Sequence, residues 1–161
     1  MQAALAIRQA QLPAEHPHVG QSLYFLGQHY FQAGDLEQAQ TYLEKAVAIG
    51  AKKRPNDTET ADAYIYLANC HLQNGAMDAT RTCLEKAREI QEGNLVPDHF
   101  YTVNRLLGSG DLALVEGDRA LARQLFEQAA SIFGQTAAAS HPDWLRIQER
   151  LAAALPEAGS A

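Results

Sequence analysis

Cysteine is scarce in this chain, and basic residues are outnumbered. Two Cys in 161 residues cannot build a disulfide framework, so stability must come from packing. Six Pro and 11 Gly are spread as punctuation, which excludes collagen-like and Pro-rich low-complexity classes. Lys and Arg number 13 against 19 Asp and Glu, giving a formal net charge of -6. A protein that neutralises phosphates needs a basic stripe, so neither nucleic acid nor an anionic membrane is expected as a partner. No apolar run reaches the about 18 residues of a membrane span. Arg8 interrupts the opening MQAALAIRQAQLP, where a secretory signal would need an unbroken apolar stretch. A cytoplasmic location with reduced thiols is therefore expected. HExxH, CxxC, GxSxG, P-loop and GxGxxG signatures are all missing. No catalytic residue, metal or cofactor is expected, and an enzyme is disfavoured. The chain is nonetheless 47% hydrophobic and 20% charged, and long enough to bury a core.

What is present is repetition. The stretch GDLEQAQTYLEKAVAI begins at Gly34, GAMDATRTCLEKAREI at Gly75 and GDRALARQLFEQAASI at Gly117. The three start 41 and 42 residues apart. Leu43, Leu84 and Phe126 share one slot, Ala46, Ala87 and Ala129 a second, and Ile49, Ile90 and Ile132 a third. The segments before each glycine match as well. Gly27, Ala68 and Gly110 occupy one slot, where a small residue lets two helix backbones approach closely. Apolar residues recur at helical spacing, as in Leu36, Ala39, Leu43, Ala46 and Val47. The anchoring glycines suit helix C-caps, and Asp35 and Asp118 suit the following helix starts.

The ends fit the same period. His16-Pro17 opens the first unit and His141-Pro142 stands at the matching point of a fourth. The spacing predicts an all-α chain of about eight helices in helix-turn-helix units over residues 1–155. These comprise a partial repeat at 1–15, repeats at 16–56, 57–98 and 99–140, and a terminal helix at 141–155. Residues 156–161 read as a disordered tail.

Leu26-Gly27, Tyr30, Gly34, Ala39, Leu43 and Ala46 resemble the tetratricopeptide repeat (TPR) pattern. The period near 42 and the His-Pro opening are similar to the longer repeats of kinesin light chains. In place of the Asn pair of that variant stand Tyr24-Phe25, Ile65-Tyr66 and Leu107-Gly108. The resemblance implies a right-handed α-solenoid whose first helices line a concave groove. Carried over slot by slot, the groove positions are Gln21, Tyr24, Gln28, Phe31 and Gln32 in the first repeat. They are Asp62, Ile65, Asn69, Leu72 and Gln73 in the second, and Asn104, Leu107, Asp111, Leu114 and Val115 in the third. Amides suit an extended peptide backbone, and Tyr24 and Phe31 an apolar anchor. The same residues equally suit plain packing and solvation.

Other candidates carry less. His16, His18, His99 and His141 fall at repeat junctions, and His71 takes the Tyr30 slot as a packing residue. Cys70 and Cys83 lie on the two helices of one repeat and read as reduced packing thiols. Lys52-Lys53-Arg54 reads as an inter-repeat loop whose charge complements a helix dipole. The expected function is a protein-interaction module that binds a peptide segment of a partner in its groove. The alternative is a structural, self-associating or regulatory segment of a larger protein, packing through exposed terminal helices, with Ala4, Leu5 and Ile7 against an upstream repeat or against a second copy in a homodimer.

Overall fold

A computed structural model describes residues 2–94, 100–134 and 142–155. Among these residues there are eight α-helices and no strand. The contacts divide the chain into two compact units, Met1–Asn94 and Leu95–Ala161. The first holds α1 (Gln2–Gln11), α2 (Pro17–Gln32), α3 (Leu36–Lys53), α4 (Thr58–Gln73) and α5 (Met77–Asn94). The second holds a short 3-10 turn at Phe100–Thr102, then α6 (Val103–Val115), α7 (Arg119–Gly134) and α8 (Pro142–Ala153). His99, His141 and the tail at 156–161 lie outside the described residues.

The repeated glycines end the first helices. Gly34, Gly75 and Gly117 have φ of 81°, 74° and 84°, a conformation that only a residue without Cβ adopts at little cost. The next residue then donates its N–H back across the turn: Asp35 to the Tyr30 carbonyl, Ala76 to that of His71, Asp118 to that of Ala113. This is a Schellman closure, and it satisfies carbonyls that the helix itself leaves open. The next helix starts at once. Asp35 Oδ1 accepts from Gln38 N–H at 3.1 Å and Asp118 Oδ1 from Leu121 N–H at 2.9 Å. At the head of α2, Pro17 fills the first turn and His16 Nδ1 accepts from His18 N–H.

Each hairpin closes tightly because its small slot faces a large residue. A Cβ at Gly27 would stand 2.5 Å from Leu43 Cγ, and one at Gly110 would stand 2.2 Å from the Phe126 ring. Ala68, in the same slot, is fully buried. Leu43, Ala87, Phe126 and Ala129, all from the repeated pattern, lose essentially all exposure. The second unit gathers Leu106, Leu107, Phe126, Ile132, Phe133 and Ile147 into one core. Trp144 stacks on Phe133 at its edge, with ring centroids 6.1 Å apart.

One local expectation changes. Lys52 and Lys53 belong to the last turn of α3 and Arg54 caps it, so the basic cluster is helical rather than a loop. Cations there meet the negative end of the helix dipole. Lys52 also meets Glu15 at 2.6 Å, an exposed pair of small energetic weight.

Candidate functional site

Contact between alternate helices is strongest between the first helices of successive hairpins. Within the first unit α2 lies directly against α4, and within the second α6 lies against α8. The residues that make these contacts obey the repeat. Gln28, which follows Gly27, donates from Nε2 to Tyr66 Oη at 2.8 Å. Asp111, which follows Gly110, receives the Arg150 guanidinium as a fork, with Nε and Nη2 each 2.8 Å from its oxygens. Tyr66 and Arg150 both stand immediately before a Leu-Ala pair. One slot of the first helix thus reaches one slot of the next, with amide–phenol chemistry in one place and an ion pair in the other. The fork geometry and its half-buried setting make the Asp111–Arg150 pair stronger than a surface pair.

Tyr66 is the centre of the α2–α4 face. Its ring meets Phe31 edge-on at 5.6 Å and Tyr24 edge-on at 6.1 Å. Such edge-to-face pairs fix ring orientation beyond what area burial alone does. Toward the α4 N-terminus, Gln21 Nε2 donates to Glu59 Oε2 at 2.9 Å. Glu59, Asp62 and Tyr66 follow one another at helical spacing, so they form one stripe. Burial, with Glu59 and Asp57 nearby, pushes the Asp62 carboxyl up to about 6. Burial raises the Tyr24 phenol as well, with Asp62, Tyr66 and Glu59 adding to the effect. A narrow cleft beside Tyr24 is lined by Gln21, Glu59, Thr60, Lys53 and Arg54.

The candidate positions separate into accessible and buried ones. Gln32 and Gln73 are exposed, and Gln21, Gln28, Phe31, Asp62, Asn69 and Leu72 are half-buried. Tyr24 is 8% exposed and offers only an edge. Ile65 and Leu107 are buried at 2% and 3%, so they pack the core and line no groove. Ile65 sits with Ala61, Ala87 and Ile90, between α4 and α5. In the second unit Asn104 and Val115 are exposed, Leu114 packs against the core, and Asp111 is held by Arg150.

The sequence matches the tetratricopeptide repeat family over residues 1–52 and 59–135. The chain belongs to the tetratricopeptide repeat family. Solved structures agree. A kinesin light chain-like protein of Podosopora anserina with nearly identical TPR-like repeats is 28% identical, with a TM-score of 0.68, over 93% of this chain and 72% of that one. A single-residue variant of it gives a TM-score of 0.70 at the same identity, covering 71% of its length. BtubC from P. vanneervenii matches at a TM-score of 0.79 with 18% identity, over 95% of this chain and 61% of its own, which speaks for the fold alone. No curated protein matches by sequence. TPR arrays are α-solenoids that generally bind protein partners and are typically non-enzymatic scaffolds.

Within this TPR chain, Tyr66, Glu59 and Arg150 are the contact residues that slot-by-slot transfer passes over. Tyr66 and Arg150 share a signal, the position before the Leu-small pair, where Phe25 stands in register with them; Glu59 has no such mark. Chemistry elsewhere is quiet. Cys70 and Cys83 are free and buried, and burial pushes both thiols up to about 11, so they stay protonated at neutral pH. Among the described residues no group of three or more His, Cys, Asp or Glu side chains could hold a metal, and no helix is long and apolar enough to cross a membrane.

Proposed function

We propose that the α2–α4 face holds an extended peptide segment of a protein partner. The observation that carries this reading is the Tyr24–Phe31–Tyr66 cluster, an aromatic platform bordered by half-buried and exposed amides. The rings offer apolar contact at low entropic cost, and Gln28, Asn69, Gln32 and Gln73 offer donors and acceptors to a peptide backbone. The same reading sets the chain in the cytoplasm, where Cys70 and Cys83 stay reduced. The test is selection of binders from a displayed peptide library against the full chain. Binders should lose at least about tenfold affinity to Phe31→Ala and Tyr66→Ala, which remove central anchors, while circular dichroism stays helical. Binders that ignore both variants would overturn the reading.

A second reading has its own observation. Ile7 on α1 and Leu145 on α8 are each 59% exposed, more than any other large apolar side chain described. Such residues suit self-association through the terminal helices. Light scattering over a concentration series decides it: a mass that stays at one chain sinks this version, and a dimer lost in Ile7→Ser or Leu145→Ser supports it.

A further inference from the structure

We propose that the segment held on the α2–α4 face is a basic one, with a Lys or Arg stem laid on Phe31 and Tyr66 and its charge against Glu59 and Asp62. This rests on the groove reading above and adds the chemistry of the occupant.

The argument is charge complementarity on an aromatic surface. Glu59, Asp62 and Tyr66 form one stripe of α4, so a cation near the ring is also near both carboxylates. The opposing stripe of α2, namely Pro17, Gln21, Tyr24, Gln28 and Phe31, carries no charge. Two cations line the cleft beside Glu59, and each has a carboxylate of its own nearby. Arg54 is bound to Asp57, and Lys53 lies 4.0 Å from Glu15. The two histidines of α2 are exposed and occupied with other rings, His18 with His16 and His29 with Tyr30. Glu59 receives only the neutral Gln21 amide. Asp62 is half-buried, and among the described residues its carboxylate has neither a hydrogen bond nor an ion pair. A carboxylate kept partly from water with no counter-charge is a poor place for an acidic or a plain apolar ligand. An ammonium or guanidinium group relieves it, and the electron-rich ring faces hold the same group. The upward displacement of the Asp62 carboxyl to about 6 has the same cause and is reversed by the same cation.

The test uses the full chain and three matched sets of short fluorescent peptides that differ only at a central Lys, norleucine or Glu. The Lys set should bind about tenfold more tightly than the norleucine set, and the Glu set should be weakest. Asp62→Asn and Glu59→Gln should each weaken the Lys set by roughly threefold to tenfold. Glu37→Gln, an equal change of charge on an exposed position of α3, should leave it unchanged. If norleucine peptides bind as tightly as Lys peptides and remain sensitive to Tyr66→Ala, the basic occupant is wrong and the groove stands. A preference for Glu overturns the inference likewise. If no set binds in a Tyr66-dependent way, the groove reading falls with it.

Discussion

Gly110 and Gly93 are both helical, yet the same substitution should act on them with opposite sign. An Ala is better than Gly in a helix by up to about 1 kcal/mol. At Gly93 an added Cβ meets nothing within 4 Å, so Gly93→Ala should raise stability by a few tenths to about 0.5 kcal/mol, less than in a helix interior because α5 ends at Asn94. At Gly110 the added Cβ falls 2.2 Å from the Phe126 ring, which is fully buried and cannot swing away. Overpacking of this kind costs about 1–3 kcal/mol and outweighs propensity. Urea titration should show Gly110→Ala destabilised, with part of the loss recovered in Gly110→Ala/Phe126→Leu. Asp62 gives a second test at this scale. Its carboxyl titrates near 6 when folded against an ordinary 3.8, so the folded state binds the proton more tightly. The groups around it are Asp57, Glu59 and Tyr24, none of them a cation. Its contribution is fully present below pH 3.8 and is lost as pH rises through about 6. Asp62→Asn should therefore be more stable than the parent above about pH 7, by on the order of 2 kcal/mol, and the advantage should vanish at pH 3.5. A difference that does not change with pH would mean that Asp62 is as well solvated as a surface carboxylate.

The helices show where sequence patterning suffices and where it does not. Helix starts and stops were legible because they depend on one or two residues: Gly34, Gly75 and Gly117 with positive φ, then Asp35 and Asp118 as caps. The end of α3 was not, because the last turn runs on through Lys52 and Lys53 to the Arg54 cap, and no glycine marks the stop. The repeat also exposes a missing part. The cap slot of α5 holds Ala76, whose carbonyl already accepts the Thr80 N–H as those of Asp35 and Asp118 do for Ala39 and Ala122. The backbone is thus posed for a cap that the side chain cannot supply. Ala76→Asp should place a carboxylate where the Ala79 N–H points, by analogy with Asp35 on Gln38 and Asp118 on Leu121. A gain of about 0.5–1 kcal/mol is expected, reduced slightly by Asp78 in the same turn. Asp35→Ala should lose a similar amount in α3. Thermal unfolding of the two variants beside the parent measures both, and a neutral Ala76→Asp would show that the α5 start lacks the cap geometry of its relatives.

For the molecule as a whole, the repeat period carried the architecture, and the chemistry of the faces had to come from the structure. Periodicity reports which positions are apolar or small, since every hairpin must close in the same way. It does not say which way a polar or aromatic residue turns at a shared slot. Ile65 was read as a groove residue and is buried against α5, while its neighbour Tyr66 supplies the ring on the α2–α4 face. One residue along a helix rotates the side chain by about 100°, enough to exchange a packing role for a surface one. The register that resolves this is the contact between the position after the small residue and the position before the next Leu-Ala, seen as Gln28–Tyr66 and Asp111–Arg150. In a solenoid each layer contact depends on its own neighbours, so slot chemistry should be transferable. Gln28→Asp/Tyr66→Arg writes the pair of the second unit into the first. Each single substitution should cost about 1–2 kcal/mol, through an unmatched carboxylate or lost ring contacts. The double variant should be more stable than their sum by about 1 kcal/mol, the coupling of a newly formed fork. Peptide binding should nevertheless fail in the double variant, because the Tyr66 platform is gone and an Arg stands against Asp62 and Glu59. A double-mutant cycle with no coupling energy would mean that each layer is held by its particular side chains and not by interchangeable slots.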